Sequence, residues 1–295
     1  MITLLLGILE EGFVYAIMAL GVYITYKILD FPDLTVDSTF PLGGAVTAIL
    51  ITSGMHPFPT LLISFVAGAL SGLITGIIHV RLKVRELLSG IIVMTALYSV
   101  NLRIAGKANV AIFSKDTIFD NNFFRSILPP IMKPFIVTIV LFFIVIIMKL
   151  LLDLYLKTKS GYLLRAVGDN KTLVTSLAED QGTVKILGLS IANAFVALAG
   201  SIYTQKSGFF EISIGTGTIV IGLASVIIGT SILKKLTFVK ATTAVIAGSV
   251  IYKLCVSIAI QLGMAASDLK AITAILFLII LIAGNGGKRR CNADA

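Results

Sequence analysis

Residues 57–80 read PFPTLLISFVAGALSGLITGIIHV, a stretch without a formally charged side chain. A helix needs about 20 apolar residues to cross the hydrocarbon core of a bilayer, so this stretch is long enough to span it. The rest of the chain has the same character. Of its 295 residues, 57% are hydrophobic and 13% are charged, and the mean hydropathy is +1.01. A soluble domain has about a quarter of its residues charged. The composition therefore predicts an integral membrane protein.

Further apolar runs lie on both sides of this stretch. They are continuous and do not alternate with polar residues, which favours helices over a membrane β-barrel. We predict an all-α polytopic membrane protein with about nine transmembrane helices, in a range of roughly eight to ten. Residues 1–287 would form the transmembrane domain, and residues 288–295 a polar C-terminal tail. The runs cover residues 12–26 with an extension over 2–9, then 38–55, 57–80, 87–102, 134–148, 186–205, 212–233, 241–267 and 271–287.

The positive charges predict the orientation of these runs. The net charge is +9, and the basic residues cluster in short segments at 81–85, 149–185, 234–240 and 288–290. Excess Lys and Arg marks cytoplasmic loops, which explains the charge without nucleic acid as a partner. The intervening loops, 103–133, 206–211 and 268–270, would then be external, and by parity so would the N-terminus. Loop 103–133 is either a simple connector or a docking surface for an external partner.

Several classes of site are disfavoured by residue usage. Cys255 and Cys291 lie far apart, which argues against a disulfide framework, and His56 and His79 are isolated, which argues against a metal site. No Walker A pattern occurs in the sequence, so the chain is not expected to hydrolyse ATP. We expect neither an enzyme nor a bound cofactor, and no removable signal peptide.

The segment 30–41, DFPDLTVDSTFP, interrupts the apolar pattern with three carboxylates and two prolines. Proline breaks helices, and a broken helix at membrane depth persists only where it is buried in protein or lines a water-filled cavity. Transporters use such breaks to place polar groups beside a substrate. We predict a broken helix here, with a short polar turn at the cytoplasmic face as the alternative. A broken helix would place Asp33, Thr35, Asp37 and Ser38 on a substrate path.

Lys253 is a second candidate, because it lies inside an otherwise apolar run. A charge at membrane depth is costly and points to a function by default. It would line the substrate path or form a structural ion pair with an acid of segment 30–41. The alternative is that its long side chain reaches the membrane surface.

The cytoplasmic stretch 157–185 is the third candidate. Asp169 or Asn170 can cap a short helix that follows it. That helix would carry an apolar stripe of Leu173, Val174 and Leu177. Such a stripe needs a cover, which is either the protein's own loops or a groove on a partner subunit.

This stretch also carries a family resemblance. Residues 161–170, GYLLRAVGDN, with Lys185-Ile186-Leu187-Gly188-Leu189, residues 197–200, ALAG, and residues 221–229, IGLASVIIG, resemble the permeases of branched-chain amino acid, sugar and nucleoside ABC importers. Residues 101–109, NLRIAGKAN, and 33–37, DLTVD, resemble a narrower branch associated with tryptophan- or tyrosine-type binding lipoproteins. The likeness runs over about residues 7–287. The sequence departs from the family pattern at Ser176, Ala178, Glu179 and Asp180, which leaves docking details open.

The resemblance implies an ABC importer permease fold in the cell membrane, with a path between two permease copies. Two ATP-binding subunits, which would bind the ATP, would dock on the coupling loop about residues 157–185. An external binding lipoprotein would deliver the substrate, with an aromatic amino acid as the best guess and nucleosides or sugars as alternatives. The expected coupling residues are Gly168, Asp169, Asn170, Leu173, Val174 and Leu177.

Two other classes compete with this interpretation. An ion-gradient-driven secondary transporter would explain the broken helix and Lys253 equally well, but it needs no exposed cytoplasmic docking helix. An intramembrane enzyme would need a catalytic set, and His56 and His79 lie at opposite ends of the run 57–80. Membrane lipid is the remaining expected partner.

The predicted orientation can be tested with single cysteines in a background that lacks Cys255 and Cys291. A cysteine at Lys115 should react with an impermeant thiol reagent in intact cells, whereas cysteines at Lys159 and Lys235 should be shielded. Permeabilised cells are the control, since all three sites should then react. Labelling of position 159 from outside would contradict the orientation.

Overall fold

The computed structural model describes residues 2–120, 133–169, 180–233 and 240–262, together with residues 271, 274, 275 and 278. Its helices are α1 (Ile2–Val22), α2 (Val36–Thr52), α3 (Pro57–Val80), α4 (Glu86–Ala105), α5 (Lys133–Tyr155), α6 (Lys159–Asp169), α7 (Gln181–Ser207), α8 (Thr218–Ile232) and α9 (Ala241–Gln261). A π-helical segment, Tyr23–Ile28, continues α1, and a 3-10 turn, Ile212–Gly215, precedes α8. The strands are β1 (Asn109–Ala111) and β2 (Phe209–Glu211).

The prediction of a helical polytopic membrane protein is confirmed. Among the described residues, seven helices are long and apolar enough to cross a membrane, and α2 is a shorter apolar helix. Eight of the nine predicted runs overlap these helices, and residues 263–267 of the eighth run lie outside the described residues. The ninth, residues 271–287, lies mainly outside the described residues, so the number nine stays a prediction.

Two three-residue strands were not anticipated from the sequence. β1 follows α4 and pairs antiparallel with β2, which follows α7, in the register Asn109 with Glu211 and Ala111 with Phe209. The pair joins two loops that the basic clusters predict to be external. Part of loop 103–133 is therefore ordered as a short ribbon, and α4 extends into its first residues.

Helix α7 is the centre of the fold and packs against α1, α2 and α3. In the most apolar 18-residue stretch of α7, 78% of the residues are buried, whereas in the corresponding stretch of α3 33% are buried.

Asp180 caps the first turn of α7. Its carboxylate accepts a hydrogen bond from the Thr183 hydroxyl at 2.6 Å and from the Gly182 N–H at 2.9 Å. These hydrogen bonds lower the pKa of the exposed Asp180 carboxyl, because they stabilise its ionised form.

Gly68, Gly72 and Gly76 recur every four residues in the sequence, a spacing that predicts a glycine face for close packing against another helix. The backbones of α3 and α7 touch through this face. A Cβ on Gly68 would lie 2.4 Å from the carbonyl oxygen of Asn193, and one on Gly72 would lie 2.1 Å from that of Leu189. Gly76 faces Ile186 in the same way. Small residues permit such close approach between membrane helices, so the packing role of this face is confirmed.

Side-chain hydroxyls fill the seam between α2, α3 and α7. Thr35 contacts Thr75 at 3.0 Å and Thr39 contacts Ser71 at 2.9 Å, which joins α2 to α3. Further out, the Thr47 hydroxyl bonds both Ser64 and Ser201. Every one of these side chains is buried. A buried hydroxyl without a partner is costly, so this seam holds the three helices in one register.

The glycine face gives a direct test of the packing. Gly72→Ala places a methyl group against the α7 backbone, so the helices must separate, and we expect a loss of about 1–3 kcal/mol of stability. The control is Gly7→Ala, because a Cβ on Gly7 meets nothing within 4 Å. That control should be neutral or stabilising by about 0.5–1 kcal/mol. Thermal melting in detergent compares the two, and an unchanged Gly72→Ala protein would contradict the close contact.

Candidate functional site

The predicted broken helix lies between α1 and α2, over Leu29–Thr35. The π-helical segment ends with hydrogen bonds from Leu29 N–H to Ile24 and from Phe31 N–H to Thr25. Asp30 then takes a left-handed backbone conformation, with φ 53°, which aspartate tolerates better than most residues. The predicted interruption near residues 30–41 therefore exists, but its bounds need correction.

Residues 36–41 are helical, so the second half of the predicted break is wrong. Pro41 lies inside α2, one turn after Asp37. Proline has no N–H, so it leaves the carbonyl of Asp37 without its helical partner. Gly215 packs there, since a Cβ on it would lie 1.9 Å from that carbonyl oxygen and 2.6 Å from the Pro41 ring. The proline thus makes room for a second chain segment instead of ending the helix.

That second segment is another helix break, between β2 and α8. The 3-10 turn ends at Gly215, and Gly217 has a φ of 85° just before α8 begins. Asp37 bridges the two breaks. Its carboxylate accepts hydrogen bonds from Gly217 N–H at 3.0 Å, Ile219 N–H at 2.8 Å and the Thr218 hydroxyl at 3.1 Å. Asp37 therefore caps the N-terminus of a helix some 180 residues away in sequence.

The other three predicted path residues of this segment are also bonded within the chain. Asp33 accepts from Thr35 N–H at 2.9 Å and from Asn193 Nδ2 at 2.7 Å. Ser38 donates to the Met94 carbonyl of α4 at 2.7 Å, and Asn101 Nδ2 donates to the Ser38 carbonyl at 2.9 Å. Asp33, Thr35 and Ser38 are buried and Asp37 is partly exposed. The segment 30–41 therefore has an inner part, with Asp33 and Thr35 of the break against α3 and α7, and an outer part, with Asp37 and Ser38 at the start of α2 against α4 and α8.

A polar surface lies beside the outer part. Thr95 and Ser99 of α4, and Ser213 and Thr216 of the second break, are exposed. Helix α4 contacts the 3-10 turn of the second break, so the two pairs of hydroxyl residues lie on neighbouring elements. Thr95 lies near the middle of α4, a helix long and apolar enough to cross a membrane. We call these four residues the hydroxyl face.

Lys253 lies apart from segment 30–41, and its predicted pairing with an acid of that segment is wrong. Its ammonium group is 3.0 Å from Glu11 of α1 and 4.0 Å from the centre of the Tyr15 ring. A second pair joins Lys206 of α7 to Glu10 at 3.3 Å. Glu10 and Glu11, which lie between the predicted apolar stretches 2–9 and 12–26, therefore neutralise lysines from α7 and α9.

Sequence reasoning also missed Asn101 and Asn193. Both amides are fully buried, and each reaches the broken segment from a different helix. The available signal was the amide itself, since an uncharged polar side chain in a long apolar run also needs a partner. Only the fold reveals that both partners are in the same short segment.

The predicted coupling residues are only partly described. Gly168 lies in α6, where a Cβ would be 1.7 Å from the carbonyl oxygen of Ile28, so α6 packs directly under the end of the π-helical segment. Asp169 is the last residue of α6. Asn170, Leu173, Val174 and Leu177 lie outside the described residues. On the outer side of α6, Lys159, Tyr162 and Arg165 are exposed.

Comparison with known proteins identifies the family. Residues 4–283 match the family described as branched-chain amino acid transport system, permease component. The chain belongs to this family of permeases. It is a multi-pass protein of the cell membrane, as the apolar helices require.

Two relatives cover the permease almost from end to end. One, the tyrosine transport system permease protein of Clostridioides difficile strain R20291, is 44% identical over 281 residues, which are 95% of this chain and 91% of the relative. The other, an uncharacterized protein of Rickettsia prowazekii strain Madrid E, is 33% identical over 285 residues, which are 95% of this chain and 97% of the relative. No solved structure matches the permease significantly.

The Lys253 pair can be tested with a double-mutant cycle. Glu11→Gln leaves a mostly buried ammonium without its partner, and because Glu11 is itself about half exposed we expect a loss of about 1–3 kcal/mol. Lys253→Met in the same chain removes the unpaired charge and should recover most of that loss. Melting in detergent measures Glu11→Gln, Lys253→Met alone and the double variant. Equal, additive losses would show that the pair is not coupled.

Proposed function

We propose that this permease is the membrane subunit of an ATP-driven importer of an aromatic amino acid, with tyrosine the best supported substrate. The observation that carries the substrate is the 44% identity with the tyrosine transport system permease protein over 95% of this chain. In this proposal, two copies of the permease enclose the path. Two ATP-binding subunits dock on the cytoplasmic side, and an external binding lipoprotein delivers the amino acid.

The hydroxyl face supports a path at the meeting point of the two breaks. Lipid tails offer hydroxyl groups no hydrogen bonds. Within the chain, Thr95 donates to the Ile91 and Ile92 carbonyls of its own helix and Ser213 donates to Glu211, while the outward side of each hydroxyl stays exposed. Thr216 lies one residue before Gly217, and the Gly217 N–H donates to the Asp37 carboxylate. The exposed Thr216 hydroxyl therefore lies next to the capped N-terminus of α8. The proposed path therefore runs along this face, and Asp37 fixes the N-terminus of α8 beside it. Asp33, Thr35 and Ser38 would position the start of α2 through their bonds to α7, α3 and α4.

The cytoplasmic side supports a role for α6 in coupling. Gly168 places the end of α6 against Ile28, which directly precedes the first break. A partner subunit that moves α6 would therefore act on the backbone that leads into segment 29–35. In the proposed complex, the ATP-binding subunits bind the apolar stripe of Leu173, Val174 and Leu177, which follows α6 in the sequence.

The decisive experiment reconstitutes the permease in liposomes with the ATP-binding subunit and the binding lipoprotein from the same organism. We expect tyrosine uptake that requires internal ATP and all three components and that persists after ion gradients are collapsed. Uptake by the permease alone, driven by an ion gradient, would instead support a secondary transporter. Competition by unlabelled nucleosides or sugars, and not by aromatic amino acids, would overturn the proposed substrate.

The same assay tests the path. Thr216→Leu and Ser213→Leu replace exposed hydroxyls of the hydroxyl face with bulky apolar groups, and we expect each to reduce uptake about tenfold or more, since one blocked contact of 1.4 kcal/mol has that effect. Ser53→Leu is the matched control, because it replaces an exposed hydroxyl at the far end of α2. Equal uptake by all three variants would place the path elsewhere.

A further inference from the structure

The exposed face of α3 ends in a positive charge. Gly68, Gly72 and Gly76 face α7, and the opposite side of the helix is exposed and apolar. Arg81 caps the C-terminus of α3, and its N–H donates to the Ile77 carbonyl at 2.8 Å, so it continues the exposed face by one turn. In a helix that crosses a membrane, such a face contacts lipid tails, and Arg81 marks the level at which this contact ends. The exposed apolar residues of the face are Leu62, Val66, Leu70, Ile74 and Ile77.

The turn that begins at Arg81 carries further exposed charges. Residues 81–85 read RLKVR, and Arg81, Lys83 and Arg85 are all exposed. None of the three belongs to an ion pair with the residues that the structure describes. Arg81 attracts the exposed Asp180 of the α7 cap without forming an ion pair with it. The turn therefore keeps most of its positive charge unneutralised.

The backbone of the turn is fixed without these side chains. The Val84 carbonyl accepts a hydrogen bond from His79 Nδ1 at 2.8 Å, and the Val84 N–H donates to the Ile78 carbonyl at 3.4 Å. Lys83 has a φ of 55°, a conformation that a lysine keeps only where its surroundings fix it. Leu82 lies between two charges of the turn and is 68% exposed. The fold thus presents an apolar side chain and three positive charges together on one fixed turn.

An anionic phospholipid has the two parts that this turn requires. Its headgroup carries the negative charge, and its acyl chains continue the layer of lipid tails that contacts α3. A soluble anion would neutralise the charges but leave Leu82 in water, and a lipid without net charge would cover Leu82 but leave the charges unneutralised. An acidic protein surface could meet both needs, but it would not continue the lipid-facing side of α3. Basic residues immediately cytoplasmic of a membrane helix attract anionic lipids in this way.

We propose that residues 81–85 form a binding site for an anionic phospholipid on the predicted cytoplasmic side of the permease. The phosphate lies among Arg81, Lys83 and Arg85, and Leu82 packs beside the acyl chains. Membrane lipid is expected to contact the permease on every side, whereas this site selects one class of lipid by its charge. The proposal depends neither on the transported substrate nor on the ATP-binding subunits.

Tryptophan fluorescence tests the site, because the chain contains no tryptophan of its own. Leu82→Trp introduces a single fluorophore at the turn, and Leu70→Trp is the matched control on the same face of α3. Each variant is placed in vesicles of phosphatidylglycerol, which is anionic, and phosphatidylcholine, which has no net charge. In each of two otherwise equal mixtures, only one of the lipids carries brominated acyl chains, which quench the fluorescence. We expect a preference for phosphatidylglycerol of about fivefold or more in Leu82→Trp and about equal quenching by the two lipids in Leu70→Trp.

Charge variants decide whether the turn causes this preference. In Leu82→Trp, the combined changes Arg81→Gln, Lys83→Gln and Arg85→Gln should abolish it. The matched control combines Arg103→Gln, Lys107→Gln and Lys115→Gln, which remove three exposed charges from the loop predicted to be external and should leave the preference unchanged. Leu82→Trp that is unquenched in both mixtures would place the turn in the cytosol, as a protein-docking surface requires, and would overturn the proposal. Equal quenching by the two lipids would reduce the site to ordinary lipid contact and overturn it as well.

Melting in detergent tests the proposal without a tryptophan. A lipid that binds the folded permease raises its melting temperature. Added phosphatidylglycerol should therefore stabilise the wild type more than phosphatidylcholine does, and the difference should shrink at high salt. The difference should be smaller in the variant that lacks the charges of Arg81, Lys83 and Arg85. Equal stabilisation of the wild type by both lipids, or an unchanged difference in that variant, would overturn the proposal.

Discussion

The arrangement of this permease depends on direct backbone contact between α7 and its neighbours α2 and α3. Gly43 and Gly200 allow α2 and α7 to touch, since a Cβ on either would lie 1.8 Å from a carbonyl oxygen of the other helix. Gly68 and Gly72 do the same for α3. Membrane helices gain little from apolar contact alone, because lipid tails are equally apolar. Close contact and the buried hydroxyl pairs between the helices supply the specificity instead, and both are lost together if the helices separate.

This tight three-helix unit makes the broken segment possible. An irregular stretch inside a membrane protein needs neighbouring polar groups that complete the hydrogen bonds of its backbone and side chains. Asn193 and Thr75 provide these groups for the inner part of the segment. The outer part packs against α4 and the start of α8, two helices that are less buried than α7. The two halves of one short motif therefore experience different surroundings, one closed by backbone contact and one partly open.

Local sequence predicted the parts of the structure that have local causes. The apolar runs, the glycine face on α3 and the interruption near Asp30 all follow from spacing and composition. Long-range partners do not. Lys253 required a counter-charge, but nothing near it in sequence pointed to Glu11, which lies 242 positions away. Pro41 appeared to end a helix because its role depends on Gly215, which fills the space beside it. The ribbon of β1 and β2 was missed because three-residue strands leave no periodic signal.

The ribbon has a mechanical consequence. β2 ends at Glu211 and the 3-10 turn begins at Ile212, so the ribbon continues directly into the second break. The backbone then reaches Gly217, which Asp37 holds, after a further five residues. A force applied to the ribbon, on the side that the basic clusters predict to be external, would therefore be transmitted along a short stretch of backbone to the start of α8. Movement of the ribbon and movement of the capped end of α8 are coupled through this stretch.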